Sequence, residues 1–105
     1  MEPFTQKVIA VIQRIPSGKV MTYGQIAAHA GSPKSARQVA RLLHSMSVKY
    51  QLPWHRIINA EGKISILDEE HRNTQEELLR FEGVEIKGSK IDLTQFRFDP
   101  GQDSF

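Results

Sequence analysis

The sequence predicts a mainly α fold, a winged helix-turn-helix in a single domain with a small β-hairpin wing. Three observations lead there. Apolar residues recur at helical spacing through the first third of the chain. Two short helical patterns are joined by a lone Gly, with small Ala residues where the helices would cross. Two β-branched runs then flank a Gly-containing turn, as a hairpin would require.

Phe4, Val8, Val11, Ile12 and Ile15 form one apolar stripe, so the first helix is amphipathic and Pro16 ends it. Ser17-Gly18 makes a turn, and Lys19-Val20-Met21 is a short extended link. Thr22 and Gln25 have the spacing of a capping box, which starts a helix whose Ile26, Ala27 and Ala30 face inward. Gly31 suits the left-handed residue just past its end. Ser32-Pro33 predicts the next start, with Ser as N-cap and Pro in the first position. Ala36, Val39, Ala40 and Leu43 form that helix's apolar face, and Lys34, Arg37, Arg41 and His44 share the opposite one.

Ile57-Ile58 and Ile64–Ile66, around Asn59–Lys63, predict the hairpin wing. A further helix runs from about Glu69 to Glu82 and closes at Gly83. Val84–Ile86 and Ile91–Phe98 read as short strands, and 99–105 as a flexible C-terminal tail, which leaves 1–98 as the domain.

Composition narrows the function classes. With 105 residues, 39% apolar and 25% charged, the chain has the composition of one globular domain. The longest apolar run, Val8–Ile12, is far too short to span a bilayer, and the N-terminus has no signal-peptide pattern. There is no Cys, hence no disulfide, thiolate metal site or thiol nucleophile. His29, His44, His55 and His71 lack metal-ligand spacing, and no phosphate-binding or dinucleotide motif is present, so neither metal nor cofactor is expected. The net charge is only +2, but residues 1–66 carry nine Lys and Arg against two carboxylates, whereas 67–105 carry five against ten. A basic part with a carboxylate-free helical stripe is the footprint of a nucleic-acid face.

The remaining candidate site is Pro53-Trp54-His55-Arg56, where the sole Trp precedes a His-Arg pair. Ile15–Ala27 (IPSGKVMTYGQIA), Ser35–Val39 (SARQV), Pro53–Ile58 (PWHRII) and Glu82-Gly83 occur in an order and spacing that resembles the DNA-binding domain of O6-alkylguanine-DNA alkyltransferases. In that family the residue before His-Arg is the Cys that takes the alkyl group. Trp54 in its place is similar to the alkyltransferase-like proteins. An indole offers one N–H donor and no nucleophilic lone pair, so alkyl transfer at this position is excluded chemically.

The resemblance implies a non-enzymatic sensor that binds double-stranded DNA carrying O6-alkylguanine, flips the lesion into a pocket and flags it for nucleotide excision repair proteins. It implies Tyr23, Trp54, His55 and Arg56 as the lesion pocket and Arg37 as the finger that fills the vacated stack. Thr22, Lys34, Ser35 and Arg41 would contact the DNA backbone, and Asn59 and Glu82 would support the pocket, Glu82 by bonding His55. Leu67 stands where some relatives have a basic residue, so either the lesion preference differs here or Lys63 or Arg72 reaches the base instead. The expected state is a monomer without membrane association, located with DNA in the cytoplasm or nucleus. The rival reading is a sequence-specific winged-helix regulator.

Overall fold

The computed structural model describes residues 2–64, 66 and 68–100. Its elements are α1 (Pro3–Gln13), β1 (Met21–Thr22), α2 (Tyr23–His29), α3 (Ala36–Met46), a single 3-10 turn (Trp54–Arg56), β2 (Ile57–Ile58), α4 (Glu69–Phe81) and α5 (Leu93–Phe96). The mainly helical class and the helix-turn-helix are as the pattern predicts. None of these helices is long and apolar enough to cross a membrane.

The start of α1 follows from Pro3, which has no N–H to leave unsatisfied in the first turn. Val8 and Ile12 are fully buried one turn apart, which seats α1 on α2. The capping box of α2 is complete: Gln25 N donates to Thr22 Oγ1 at 3.1 Å, and Thr22 N donates to Gln25 Oε1 at 3.1 Å. Gly31 takes φ +95°, and α3 then packs on α2 through buried Ala27, Ala30 and Val39. The start of α3 lies later than Ser32-Pro33 suggests. Ser32–Lys34 forms a turn, Ser35 N donates to Ser32 O at 3.0 Å, and Ser35 becomes the residue before the helix.

The sheet differs from the expected hairpin. β2 pairs in parallel with β1, Met21 opposite Ile57 and Thr22 opposite Ile58. The Asn59–Lys63 turn does form: Asn59 Oδ1 accepts from Glu61 N at 3.0 Å and Lys63 N at 2.9 Å. Its far arm, however, pairs with the 87–91 segment, through a Lys63–Lys90 bridge and a 2.9 Å bond from Ile64 N to Ser89 O. The reason is burial. Successive strand residues point to opposite sides, so Met21 and Ile57 enter the core under α1–α3, while Val20 and Ile58 enter a second core with Ile64, Leu79, Val84, Ile86, Ile91 and Phe96. A hairpin confined to 57–66 would not join these two cores.

Two further expectations change near the C-terminus. Residues 93–96 are a helical turn, because Asp92 caps it by accepting from Thr94 N at 2.9 Å. Val84 and Ile86 are buried with Glu85 exposed, yet the segment makes no ladder, only the bridge from Lys87 to Lys90. At the end of the described residues, Phe98 N donates to Val20 O at 2.8 Å, Asp99 meets His29 at 3.7 Å, and Pro100 is buried. Residues 101–105 lie outside the described residues.

Gly62 is the tightest point of the turn. It has φ +80°, and a Cβ there would lie 2.6 Å from Ile91 O. Gly62→Ala is expected to cost about 2 kcal/mol, from left-handed backbone strain plus the clash. Urea unfolding of the two proteins measures it.

Candidate DNA-lesion site

Trp54, His55 and Arg56 occupy one 3-10 turn, so their side chains fan out around a single tight bend. The two polar ones turn inward onto Glu82, the residue that ends α4. His55 Nε2 lies 2.8 Å from Glu82 Oε2. Arg56 Nη2 donates to Glu82 Oε2 at 2.7 Å and Arg56 Nε to Oε1 at 3.0 Å, a two-pronged grip. Gly18 N donates to Glu82 Oε1 at 3.0 Å, and Arg56 Nη1 donates to Ile15 O at 2.9 Å. An ionised carboxylate only accepts, so the hydrogen on the His55–Glu82 bond belongs to His55 Nε2.

The Glu82 side chain is only 10% exposed. Burial pushes its pKa up, but the hydrogen bonds from Arg56, His55 and Gly18 outweigh that and hold it at about 2. The site is a charge-compensated frame, with both oxygens of one carboxylate saturated.

A residue not singled out from the sequence completes the frame. Gln75, 1% exposed, donates from Nε2 to both His55 O and Ile57 O at 3.1 Å, clipping the two ends of the turn to α4. Its Oε1 has no partner among the described residues. The signal was present in the sequence: Arg72, Gln75, Leu79 and Glu82 follow helical spacing, which puts an uncharged polar residue on the buried face beside Leu79.

Trp54 is the exception in the turn. It is half-buried against the α1–α3 core, and its indole meets the rings of His55 and His71 edge-on, each at a centroid distance of 6.2 Å. Trp54, His55 and Arg56 border an open cleft of about 520 Å³ with Gln13, Tyr50, Gln51, Leu52 and Pro53. Tyr23 does not line that cleft. It sits at the first position of α2, directly after β1, and its half-buried phenol is held above its ordinary pKa by burial. It is therefore a neutral hydrogen-bond donor at physiological pH.

The basic stripe is exposed as predicted. Lys34, Arg37 and Arg41 lie on or just before α3, and none has a hydrogen-bond or ion-pair partner among the described residues. Ser35 is half-buried and shares a 2.6 Å hydroxyl–hydroxyl bond with Ser32. Thr22 is buried, and its Oγ1 accepts the α2 cap bond from Gln25 N, directly before Tyr23. Asn59 holds the turn after β2. Lys63 is exposed, and Arg72 Nη1 donates to Ile66 O at 3.5 Å. Leu67 lies outside the described residues. Among the described residues no group of His, Asp or Glu is arranged to hold a metal ion.

Residues 3–84 match the DNA-binding domain of 6-O-methylguanine DNA methyltransferases, and the chain belongs to that family. Within it, the chain is similar to two proteins of its own length. It is 41% identical to the DNA base-flipping protein of Vibrio parahaemolyticus, over 95% of this chain and 100% of that one. It is 38% identical to Alkyltransferase-like protein 1 of Schizosaccharomyces pombe, over 95% and 98%. A crystal structure of S. pombe Atl1 in complex with damaged DNA containing O6-carboxymethylguanine matches with a TM-score of 0.84 at 38% identity, covering 95% of this chain and 98% of that one.

Glu82→Gln is expected to lower stability at neutral pH by about 3 kcal/mol, because Arg56 is left inside the frame without its counter-charge. The folded-state pKa is depressed, so the ionised frame stabilises fully above the ordinary carboxylate value of 4.5 and its contribution disappears as pH falls toward about 2. Urea midpoints of the wild type should drop across that window, and Glu82→Gln should lack this component of the drop.

Proposed function

We propose that this protein is a non-enzymatic DNA-damage sensor, which binds duplex DNA, flips O6-alkylguanine out of the stack and holds it without repairing it. The observation that carries this reading is Trp54, an indole at the bend whose His-Arg frame is complete. In-kind alkyl transfer needs a soft anionic nucleophile at that bend, and the chain has no Cys anywhere. His55 and Arg56 are turned onto Glu82, so they form a frame and not a reacting pair. The similarity to a DNA base-flipping protein and to Atl1, whose structure holds damaged DNA, supports the same reading.

Flipping a base costs a few kcal/mol, least for a damaged one. Stacking on an aromatic side chain offsets about 1–3 kcal/mol of that. Trp54 supplies the apolar wall for the alkyl group, and Tyr23, a neutral donor, bears on the backbone beside the flipped nucleotide. Arg37, exposed near the start of α3, enters the duplex as the finger. Lys34, Ser35 and Arg41 contact phosphates and supply affinity that falls with salt. The protein acts as a monomer wherever duplex DNA is held, in a nucleoid or a nucleus, and the long-lived complex flags the lesion for nucleotide excision repair proteins.

The deciding experiment compares binding to duplexes that differ only in one O6-methylguanine, followed by mass analysis of DNA and protein. Tighter binding to the lesion, with the methyl group still on the DNA, is expected. Equal affinity across several sequence contexts points to a sequence-specific regulator, and methyl lost from DNA points to an enzyme.

Arg37→Ala is expected to weaken lesion binding about tenfold or more while lowering affinity for undamaged duplex only a few-fold, the effect of one lost phosphate contact. Equal losses on both duplexes reduce Arg37 to such a contact. Fluorescence anisotropy at fixed salt reads both.

A further inference from the structure

The two imidazoles that meet the Trp54 indole are not equivalent. His55 lies at 84° to it and is buried, with Nε2 held by Glu82. His71 lies at 73°, projects from the first turn of α4, and has a side chain that is 67% exposed. Asp68 holds His71 by Nδ1. The carboxylate only accepts, so Nδ1 carries the hydrogen of that contact and Nε2 is the atom left to meet a ligand. Nε2 has no hydrogen-bond partner among the described residues.

We propose that His71, oriented by Asp68, is a specificity-determining residue of the lesion site, and that its Nε2 accepts a hydrogen bond from O6 substituents ending in a hydroxyl group. The inference rests on the reading of Trp54 as the wall beside the alkyl group. A methyl group ends one bond from O6, too short to pass the Trp54 ring and reach an imidazole whose centroid lies 6.2 Å away. A 2-hydroxyethyl group extends further and brings a donor. A carboxymethyl group is similar in length but anionic, and the carboxylates of Asp68, Glu69 and Glu70 at the start of α4 oppose it. The site therefore ranks hydroxyethyl above methyl and does not rank carboxymethyl above methyl. Asp68 is a positioning residue, which acts only by fixing the ring.

The test uses four duplexes of one sequence, carrying guanine, O6-methylguanine, O6-(2-hydroxyethyl)guanine or O6-carboxymethylguanine, in a mildly alkaline buffer. One net hydrogen bond gives the wild type a preference of about fivefold for hydroxyethyl over methyl. His71→Ala removes that preference, lowering O6-(2-hydroxyethyl)guanine affinity about fivefold more than O6-methylguanine affinity. Asp68→Ala reduces the preference, and Asp68→Asn, whose amide oxygen still accepts from Nδ1, retains it. Both side chains are exposed, and Asp68→Asn keeps a side-chain acceptor at the N-cap of α4, so it controls for any helix destabilisation in Asp68→Ala. If the wild type prefers O6-methylguanine to guanine but His71→Ala weakens all duplexes equally, or none, the role of His71 is overturned while the sensor reading stands. If the wild type also fails to distinguish O6-methylguanine from guanine, the sensor reading falls first.

Discussion

The arrangement depends on the carboxylate of Glu82. Its two oxygens collect hydrogen bonds from Gly18, His55 and Arg56, residues from two separate stretches of the chain. Arg56 extends the same network to Ile15 O. An isolated buried carboxylate would be strongly unfavourable. Here the guanidinium compensates the charge and the donors occupy its lone pairs, so the ionised form is the stable one. The turn after α1, the Trp54–Arg56 bend and the end of α4 are consequently locked to one point.

That lock explains why the bend can present Trp54 to the outside. A Trp at a tight turn would ordinarily bury itself as fully as it can. His55 and Arg56 take the inward positions, and Gln75 clips the bend from behind through the carbonyls of His55 and Ile57. The indole is left half-buried, packed on one core and edged by His55 and His71. The frame is complete around a bend that carries an indole and no thiol.

Much of this was legible beforehand, for local reasons. The Thr22–Gln25 capping box, the left-handed Gly31 and the closure of α4 at Glu82-Gly83 all follow from short-range stereochemistry, and all appear in the structure. The link from His55 to Glu82 was expected from family resemblance alone, since 27 residues separate them and no local rule joins them. The misread elements share a cause. Ile57-Ile58 has the composition of a hairpin arm, but two-residue strands carry too little pattern to name their partner. Residues 91–98 read as a strand because Ile91, Leu93 and Phe96 are apolar, whereas the Asp92 cap favours a turn of helix.

By itself, the sequence determined the chemistry that is absent and the faces that are charged. A chain without Cys has no thiolate at Trp54, and a helix with Arg37 and Arg41 on one side must expose them, because unpaired cations do not go into a core. Only the tertiary structure decided which residues meet at the bend. Gly18, Gln75 and His71 lie far from the bend along the chain, and each acquires its place because α4 lies against the Trp54–Arg56 turn. Contacts between residues far apart in the chain depend on how the two cores are joined through β1 and β2, and that junction is a property of the packed whole, not of any local stretch.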